Sequence, residues 1–240
     1  MLRSLPDSFL SVLYPEECRV CGGEVDSLFN GVACSNCWNA TKIFTGTETL
    51  CNKCGAFLFG ASSADPALCG KCDEHSYDRA VAAGIYEKAL AASILRLKRT
   101  PYTANRLKKL LAAALERTNV ESDTIVIPVP LSSRRQRERG FNQAALIGRF
   151  VARHRSLRRD ETSLVRRIHT PMHRVGMDKK ARALTVRNAF EVVRPMLIDG
   201  KTILLVDDIF TSGETASNCA RVLKESGAAI VNVLTIARTA

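Results

Sequence analysis

No stretch of the 240-residue sequence approaches the ~18 consecutive apolar positions that a membrane-crossing helix needs. The opening MLRSLPDSFLSVLYPEEC holds one arginine, an early Pro6 and Asp7 and no long apolar run, so it does not read as a secretory signal. A soluble cytoplasmic protein with reduced thiols is the expectation, with Phe9, Leu10, Val12 and Leu13 packing as a short helix. Neither G-x-x-x-x-G-K-[ST] nor G-x-G-x-x-G occurs, which argues against P-loop ATPases and dinucleotide enzymes. Aromatic residues are scarce at 6%, and acids are outnumbered, 24 against 35 Lys+Arg. Hydrophobic residues still make up 46%, so a sizeable core can form and the composition is not that of a disordered chain.

The charge is unevenly placed. Residues 1–78 carry 5 Lys+Arg and 10 Asp+Glu, whereas residues 131–187 carry 16 Lys+Arg against 4 acids. That asymmetry predicts two modules, residues 15–78 and 79–240, the second facing an anion.

Cysteine is abundant and ordered. Eight of the nine fall into four C-x-x-C pairs, Cys18/Cys21, Cys34/Cys37, Cys51/Cys54 and Cys69/Cys72, separated by 12, 13 and 14 residues. A C-x-x-C turn aims two thiolates at one point, and two such turns complete a zinc tetrahedron. The spacing predicts two structural Zn²⁺ sites in tandem, Cys18, Cys21, Cys34, Cys37 and then Cys51, Cys54, Cys69, Cys72. An interleaved pairing stays open at this point. Four thiolates leave no place for water, so these sites stabilise rather than catalyse, each supplying ~10–16 kcal/mol of apparent binding energy to a segment with little core. His75 reads as a solvated loop residue and Cys219 as a small apolar core residue.

From about Val81 the pattern becomes α/β. Apolar residues recur at helical spacing over 88–99 and 104–117, separated by Pro101, and again over 142–154 behind an Asn cap and over 212–227. Apolar runs at 124–130, 201–207 and 229–238 read as buried strands. Alternation of this kind predicts a mostly parallel sheet whose ligand lies beyond the carboxyl ends of its strands.

Two acids, Asp207 and Asp208, close the run ILLVDD, and Thr211-Ser212-Gly213-Glu214-Thr215 then leads into a helix N-terminus. Amides, hydroxyls and the helix dipole there suit a phosphate, and Gly213 lets the backbone approach closely. Carboxylates would repel that phosphate, so their partner is of another kind: ribose hydroxyls, or Mg²⁺ held by the ligand. Together the two features describe a ribose-5-phosphate pocket. A Walker-B strand is the competing reading, and the missing P-loop argues against it.

LLVDDIFTSGETA resembles the signature of type I phosphoribosyltransferases. IPVPLSSRRQRERGFNQAALIG, LKR at 97–99 and the tandem C-x-x-C front end resemble the more particular pattern of the ComF family of competence proteins, from about Pro15 to Arg238. The resemblance implies a parallel-sheet phosphoribosyltransferase-like domain behind a double zinc ribbon. It implies that Asp207 and Asp208 meet ribose hydroxyls and that residues 211–215 hold the 5-phosphate of phosphoribosyl pyrophosphate with Mg²⁺. It also puts Leu131 and Ser132 on the pyrophosphate side, and matches Arg139-Gly140-Phe141-Asn142-Gln143 to the family's RGFNQ stretch. Between 169 and 190 the chain departs from the pattern, with His173 in place of glutamine and Thr185 in place of asparagine.

Arg134, Arg135, Arg137 and Arg139 in RRQRER, with the arginines of 153–167, exceed what one diphosphorylated sugar needs. A polyphosphate backbone would use them, whereas a merely solubilising surface is the plainer alternative. The family's link to uptake of transforming DNA points to single-stranded DNA, and to proteins of the uptake machinery, as partners. An active phosphoribosyltransferase acting on an unknown nitrogen acceptor is the competing function. Lys98 or an arginine of 134–139 would then neutralise the leaving pyrophosphate.

Overall fold

The computed structural model describes residues 15–58, 68–118, 120–167 and 189–240. The short helix expected at Phe9–Leu13 and the divergent positions His173 and Thr185 lie outside them.

Among the described residues, the cysteine-bearing segment consists of turns with the short helix α1 (Ser35–Asn39), and strand β1 (Arg79–Ile85) follows it. Helices α2 (Lys88–Leu97) and α3 (Asn105–Leu115) lead to β2 (Ile125–Pro128). The short α4 (Ser133–Arg139) and the longer α5 (Gln143–His154) lead to β3 (Arg158–Arg159). A small antiparallel pair, β4 (Leu164–Arg166) and β5 (Phe190–Val192), precedes β6 (Thr202–Phe210), α6 (Glu214–Glu225) and β7 (Ile230–Arg238). Five strands form one sheet in the order β1-β7-β6-β2-β3, with every pairing parallel.

The three strands expected from apolar runs are present, and they are buried on both sheet faces. Leu204, Val206, Val126 and Leu234 pack with α2, α3 and α5 on one face. Ile203, Leu205, Ile127 and Val233 pack with α6 and Phe190 of β5 on the other. The period of two along a strand produces this sorting. One boundary is corrected: the strand expected to stop at Asp207 runs on to Phe210, because β7 continues beside it and Phe210 pairs with Arg238.

The cysteine segment wraps around the β1 edge. Cys18, Val25 and Trp38 join the core on the α5 face, whereas Cys51, Cys54 and Cys72 join the core on the α6 face. The connection between them covers β1. Phe44 N–H donates to the Ala83 carbonyl at 2.9 Å, Ile85 N–H to Lys42 at 2.9 Å and Ala80 N–H to Lys53 at 2.7 Å. Arg117 adds bonds to the Phe44 carbonyl at 2.7 Å and the Ala82 carbonyl at 2.8 Å. An edge strand that would otherwise offer unpaired amides is thereby closed. Gly84 permits the approach, since a Cβ there would collide with the Lys42 carbonyl oxygen.

Candidate functional site

The topology itself places a switch point between β2 and β6. The connection from β2 runs through α5 on one face to β3, and the connection from the adjacent β6 runs through α6 on the other face to β7. Neighbouring strands whose helices leave to opposite faces part at their carboxyl ends, and open α/β sheets bind ligands in that gap. The last hydrogen bond between these strands is Val129 N–H to the Val206 carbonyl at 2.9 Å. Asp207 and Asp208 follow immediately.

Adjacent strand residues diverge, and these two carboxylates do. Asp208 turns to the α5 face and is buried. Its Oδ2 lies 3.0 Å from Lys98 Nζ, just past the end of α2, and 3.4 Å from Gln143 Nε2 at the start of α5. Gln143 Oε1 in turn accepts from Arg139 at 2.9 Å. The RGFNQ stretch thus shapes the surroundings of the acid. Asn142 caps α5 through Ala144 N–H at 2.9 Å, and Gln143 and Arg139 form the chain of bonds that ends on Asp208. Asp207 points to the α6 face. Burial, and then the charge of Asp208, push its carboxyl well above the usual range. Both carboxylates fold back onto the chain, Asp207 accepting Asp208 N–H at 2.8 Å and Asp208 accepting Ile209 N–H at 2.9 Å.

On Asp207's side stands a residue that the sequence pattern did not associate with the acids. Arg166 of β4 lies with its guanidinium 5.2 Å from the Phe190 ring centroid. Burial and then Arg135 of α4 lower its pKa, while Cys219 and Asp207 act the other way. Arg135 and Arg166 thus feel each other's charge, and Asp207 offsets part of it at Arg166. Only the dense arginine content of 153–167 hinted at this.

The loop after β6 is open. Thr211, Ser212, Glu214 and Thr215 are exposed, and Ser212 Oγ accepts Glu214 N–H at 3.4 Å. Gly213 precedes α6 in the left-handed conformation (φ +84°). A Cβ there would lie 2.8 Å from His75 Cε1 and 2.8 Å from Phe210 Cζ. His75 is thus not the solvated loop residue expected. It is half-buried against the loop, its Nδ1 2.6 Å from the Tyr77 hydroxyl, and Ser76 N–H donates to Ser217 Oγ at 3.0 Å. The second cysteine module props the loop from below.

Ser132 is buried as the N-cap of α4, its Oγ accepting Arg135 N–H at 3.3 Å, and Leu131 is half-buried beside it. Arg134, Arg135, Arg137 and Arg139 follow on a helix with no buried residue. Arg134 pairs with Glu138 at 2.7 Å. Cys219 is fully buried against the α6-face core, as expected.

The thiols gather in tandem, not interleaved: Cys18, Cys21, Cys34, Cys37 and Cys51, Cys54, Cys69, Cys72, each set with its sulfurs within 4.8 Å of one another. Cys21–Cys34, Cys51–Cys72 and Cys54–Cys69 stand 3.8, 3.6 and 3.5 Å apart. A Zn–S bond of ~2.3 Å gives a tetrahedron edge of ~3.8 Å, so each set fits zinc. All nine cysteines are free of disulfide bonds. Burial opposes ionisation of Cys18, but the N–H groups of Cys34, Cys21 and Val20 outweigh it and bring the thiol down to about 6. Burial and the neighbouring thiols push Cys37 up to about 12. The second set divides alike: backbone N–H groups overcome burial and bring Cys51 down to about 6, whereas burial raises Cys72.

These features define a parallel α/β protein with an open carboxyl edge, joined to a pair of four-cysteine metal centres. The model of the double zinc ribbon domain matches residues 9–74. Competence protein F of Haemophilus influenzae is 31% identical over 230 residues, 92% of this chain and 96% of that protein. DNA utilization protein YhgH of Escherichia coli K12 is 31% identical over 214 residues, 86% of this chain and 90% of that protein. The chain belongs to the ComF family of competence proteins. Among solved structures, glutamine phosphoribosylpyrophosphate amidotransferase from B. subtilis, complexed with ADP and GMP, aligns with 62% of this chain at 18% identity and a TM-score of 0.37. This chain spans 26% of that one. Among the described residues no helix is long and apolar enough to cross a membrane.

Proposed function

We propose that the crevice at the ends of β2 and β6 binds phosphoribosyl pyrophosphate or a similar sugar phosphate, and that the protein handles single-stranded DNA during DNA uptake in the cytoplasm. The observation that carries the reading is the placement of Asp207, Asp208 and the loop 211–215 on one side of a switch-point crevice, with Leu131 and Ser132 on the other. The pentose would sit over the strand end, its hydroxyls on the two carboxylates, and its 5-phosphate on the amides and hydroxyls of 211–215 at the positive end of α6. Arg135 and Arg166 supply the cationic side that a pyrophosphate needs. Magnesium would arrive on that pyrophosphate, because the groups of three or more converging ligands among the described residues are the cysteine sets alone. Residues 15–78 serve as a zinc-held buttress and residues 79–240 as the binding domain. The competence and DNA-utilization names of the relatives, with the exposed arginines of α4, support the DNA arm.

Calorimetry with phosphoribosyl pyrophosphate and magnesium, repeated with short single strands, tests both arms. Asp207→Asn with Asp208→Asn should abolish sugar-phosphate binding and leave DNA binding nearly intact. Equal loss of both in a folded variant would refute separate sites.

A second reading has one observation in its favour: Lys98, a cation able to neutralise a leaving pyrophosphate, stands at the same crevice. The protein would then transfer ribose-5-phosphate to a nitrogen acceptor. Pyrophosphate release that depends on added nucleobase or amine, and that Lys98→Met removes, would establish it.

A further inference from the structure

The motif Arg96-Leu97-Lys98-Arg99 at the end of α2 divides its charges between two places. Lys98 goes to Asp208 in the crevice. Arg96 and Arg99 go elsewhere, to a cavity of about 390 Å³ whose lining includes Arg19 of the first cysteine turn, Ala92 and Leu95. Three arginines from two elements line it, and no ion pair holds any of them among the described residues. Arg96 Nε is buried without a hydrogen-bond partner among the described residues. The lining of this cavity holds no carboxylate, so its three arginines repel one another, and a polyanion relieves that repulsion.

A second cavity, of about 230 Å³, shares Arg96 and is lined also by Ser93, Tyr102 and Leu107, with Val32 of the first ribbon and one carboxylate, Glu16. Ser93 is 7% exposed, and its hydroxyl too lacks a partner among the described residues. Tyr102 is 53% exposed and Leu95 51% exposed, both large apolar surfaces left open at the rim. Phosphate-seeking guanidinium groups beside an exposed aromatic ring and an unsatisfied hydroxyl are the components of single-strand recognition.

We propose that the two cavities form one groove for single-stranded DNA. Arg19, Arg96 and Arg99 carry phosphates, and one base lies against Tyr102 within reach of the Ser93 hydroxyl. The idea rests on the DNA-handling reading above and adds a second station to it, between the first zinc ribbon and α2. The zinc ribbon then contributes Arg19 to recognition besides stabilising the fold. Because α2 ends at the crevice, a strand held here lies beside the sugar-phosphate pocket.

Fluorescence anisotropy of the zinc-loaded full chain with labelled oligothymidylates, across a salt series, tests it. Arg19 and Arg99 are exposed, so Arg19→Ser with Arg99→Ser should fold as wild type. This pair should lower the slope of log K against log salt by ~1.4, at about 0.7 per phosphate contact on a single strand. Tyr102→Ala should weaken binding about 10-fold through lost stacking. Photocrosslinking with 5-iododeoxyuridine strands should mark Tyr102. An unchanged slope and affinity in these variants, while α4 variants weaken binding, would overturn the second station and leave the DNA-handling reading standing. Crosslinks confined to residues 134–141 would do the same. Absence of any DNA binding by the wild-type chain would overturn both.

Discussion

Lys98 Nζ lies 3.0 Å from Asp208 Oδ2, joining the end of α2 to the end of β6 across the mouth of the crevice. Asp208 is 6% exposed, and its other side-chain contact of this kind is Gln143. A carboxylate so enclosed depends on that cation, since an unpaired buried charge is costly. Lys98→Met should lower stability by about 1–3 kcal/mol, below the full cost of a broken buried pair because Lys98 keeps some solvent access. Adding Asp208→Asn should restore part of the loss. Urea denaturation of the four forms gives the coupling, and a cycle that closes at zero would remove the pair from the stability account.

Asp207 has the opposite relation to the fold. Its pKa is raised by burial and then by Asp208, so the folded state prefers the proton. Its ionisation costs nothing below the unfolded pKa of ~3.9 and costs progressively more as pH rises toward the folded value. Asp207→Asn should therefore match wild-type stability near pH 3 and exceed it at pH 7, by about 1 kcal/mol or a few degrees in Tm. The same variant should lose sugar-phosphate binding. Thermal melts across pH check the sign, and a neutral-pH Tm below that of wild type would contradict it.

These relations were unevenly legible in the sequence. Ile203–Val206 and Ile230–Ala237 declare buried strands because β-branched and aliphatic side chains fill both faces. The two acids disguise the rest of β6, whose last stretch of pairing is set by β7. β1 has no such signal: Arg79–Ile85 is mostly alanine and glycine, and it is a strand because β7 and the ribbon connection hold its two edges. α4 has no apolar face for periodicity to reveal, and its bounds come from the Ser132 cap and the left-handed Gly140. The paired acids and the hydroxyl-rich loop after them stand out in the sequence by residue type alone. The roles of Arg166, Gln143 and His75 were not, since each depends on a partner distant in sequence.

Gly213 should tolerate no side chain. Its φ of +84° costs an L-residue ~1–2 kcal/mol, and a Cβ would meet His75 and Phe210 at 2.8 Å. Gly213→Ala should lose at least that much stability and weaken sugar-phosphate binding. His75→Ala in the same chain should relieve the contact with the imidazole but not the backbone strain. Rescue to wild-type stability in the double variant would mean that the conformation itself is not constrained.

Removal of zinc should act at two places. Chelation should release two metal ions per chain and open residues 15–78 first. Because His75 and Ser76 rest against Gly213 and Ser217, the loop 211–215 should lose hydrogen-exchange protection in the same step. Amide exchange of the holo and chelated forms reads both. Protection of 211–215 that survives the opening of Cys51–Cys72 would separate the loop from its buttress.

The arginines of α4 differ in how freely they can meet a phosphate. Arg134 is engaged by Glu138 one turn on, an exposed pair worth little in water that a phosphodiester can displace. Arg139 is committed to Gln143, so its removal would disturb the Asp208 network as well as the surface charge. Arg134, Arg135 and Arg137 are therefore the cleaner test. Their joint replacement by serine should leave the fold intact, because α4 buries none of its side chains. It should lower the salt slope of single-strand binding by about 2, at about 0.7 per phosphate contact. Replacing Arg135 also removes a charge that depresses Arg166, so sugar-phosphate affinity should shift with it, whereas Arg134→Ser with Arg137→Ser should leave that affinity alone. An unchanged slope in the triple variant would clear α4 of any part in holding DNA.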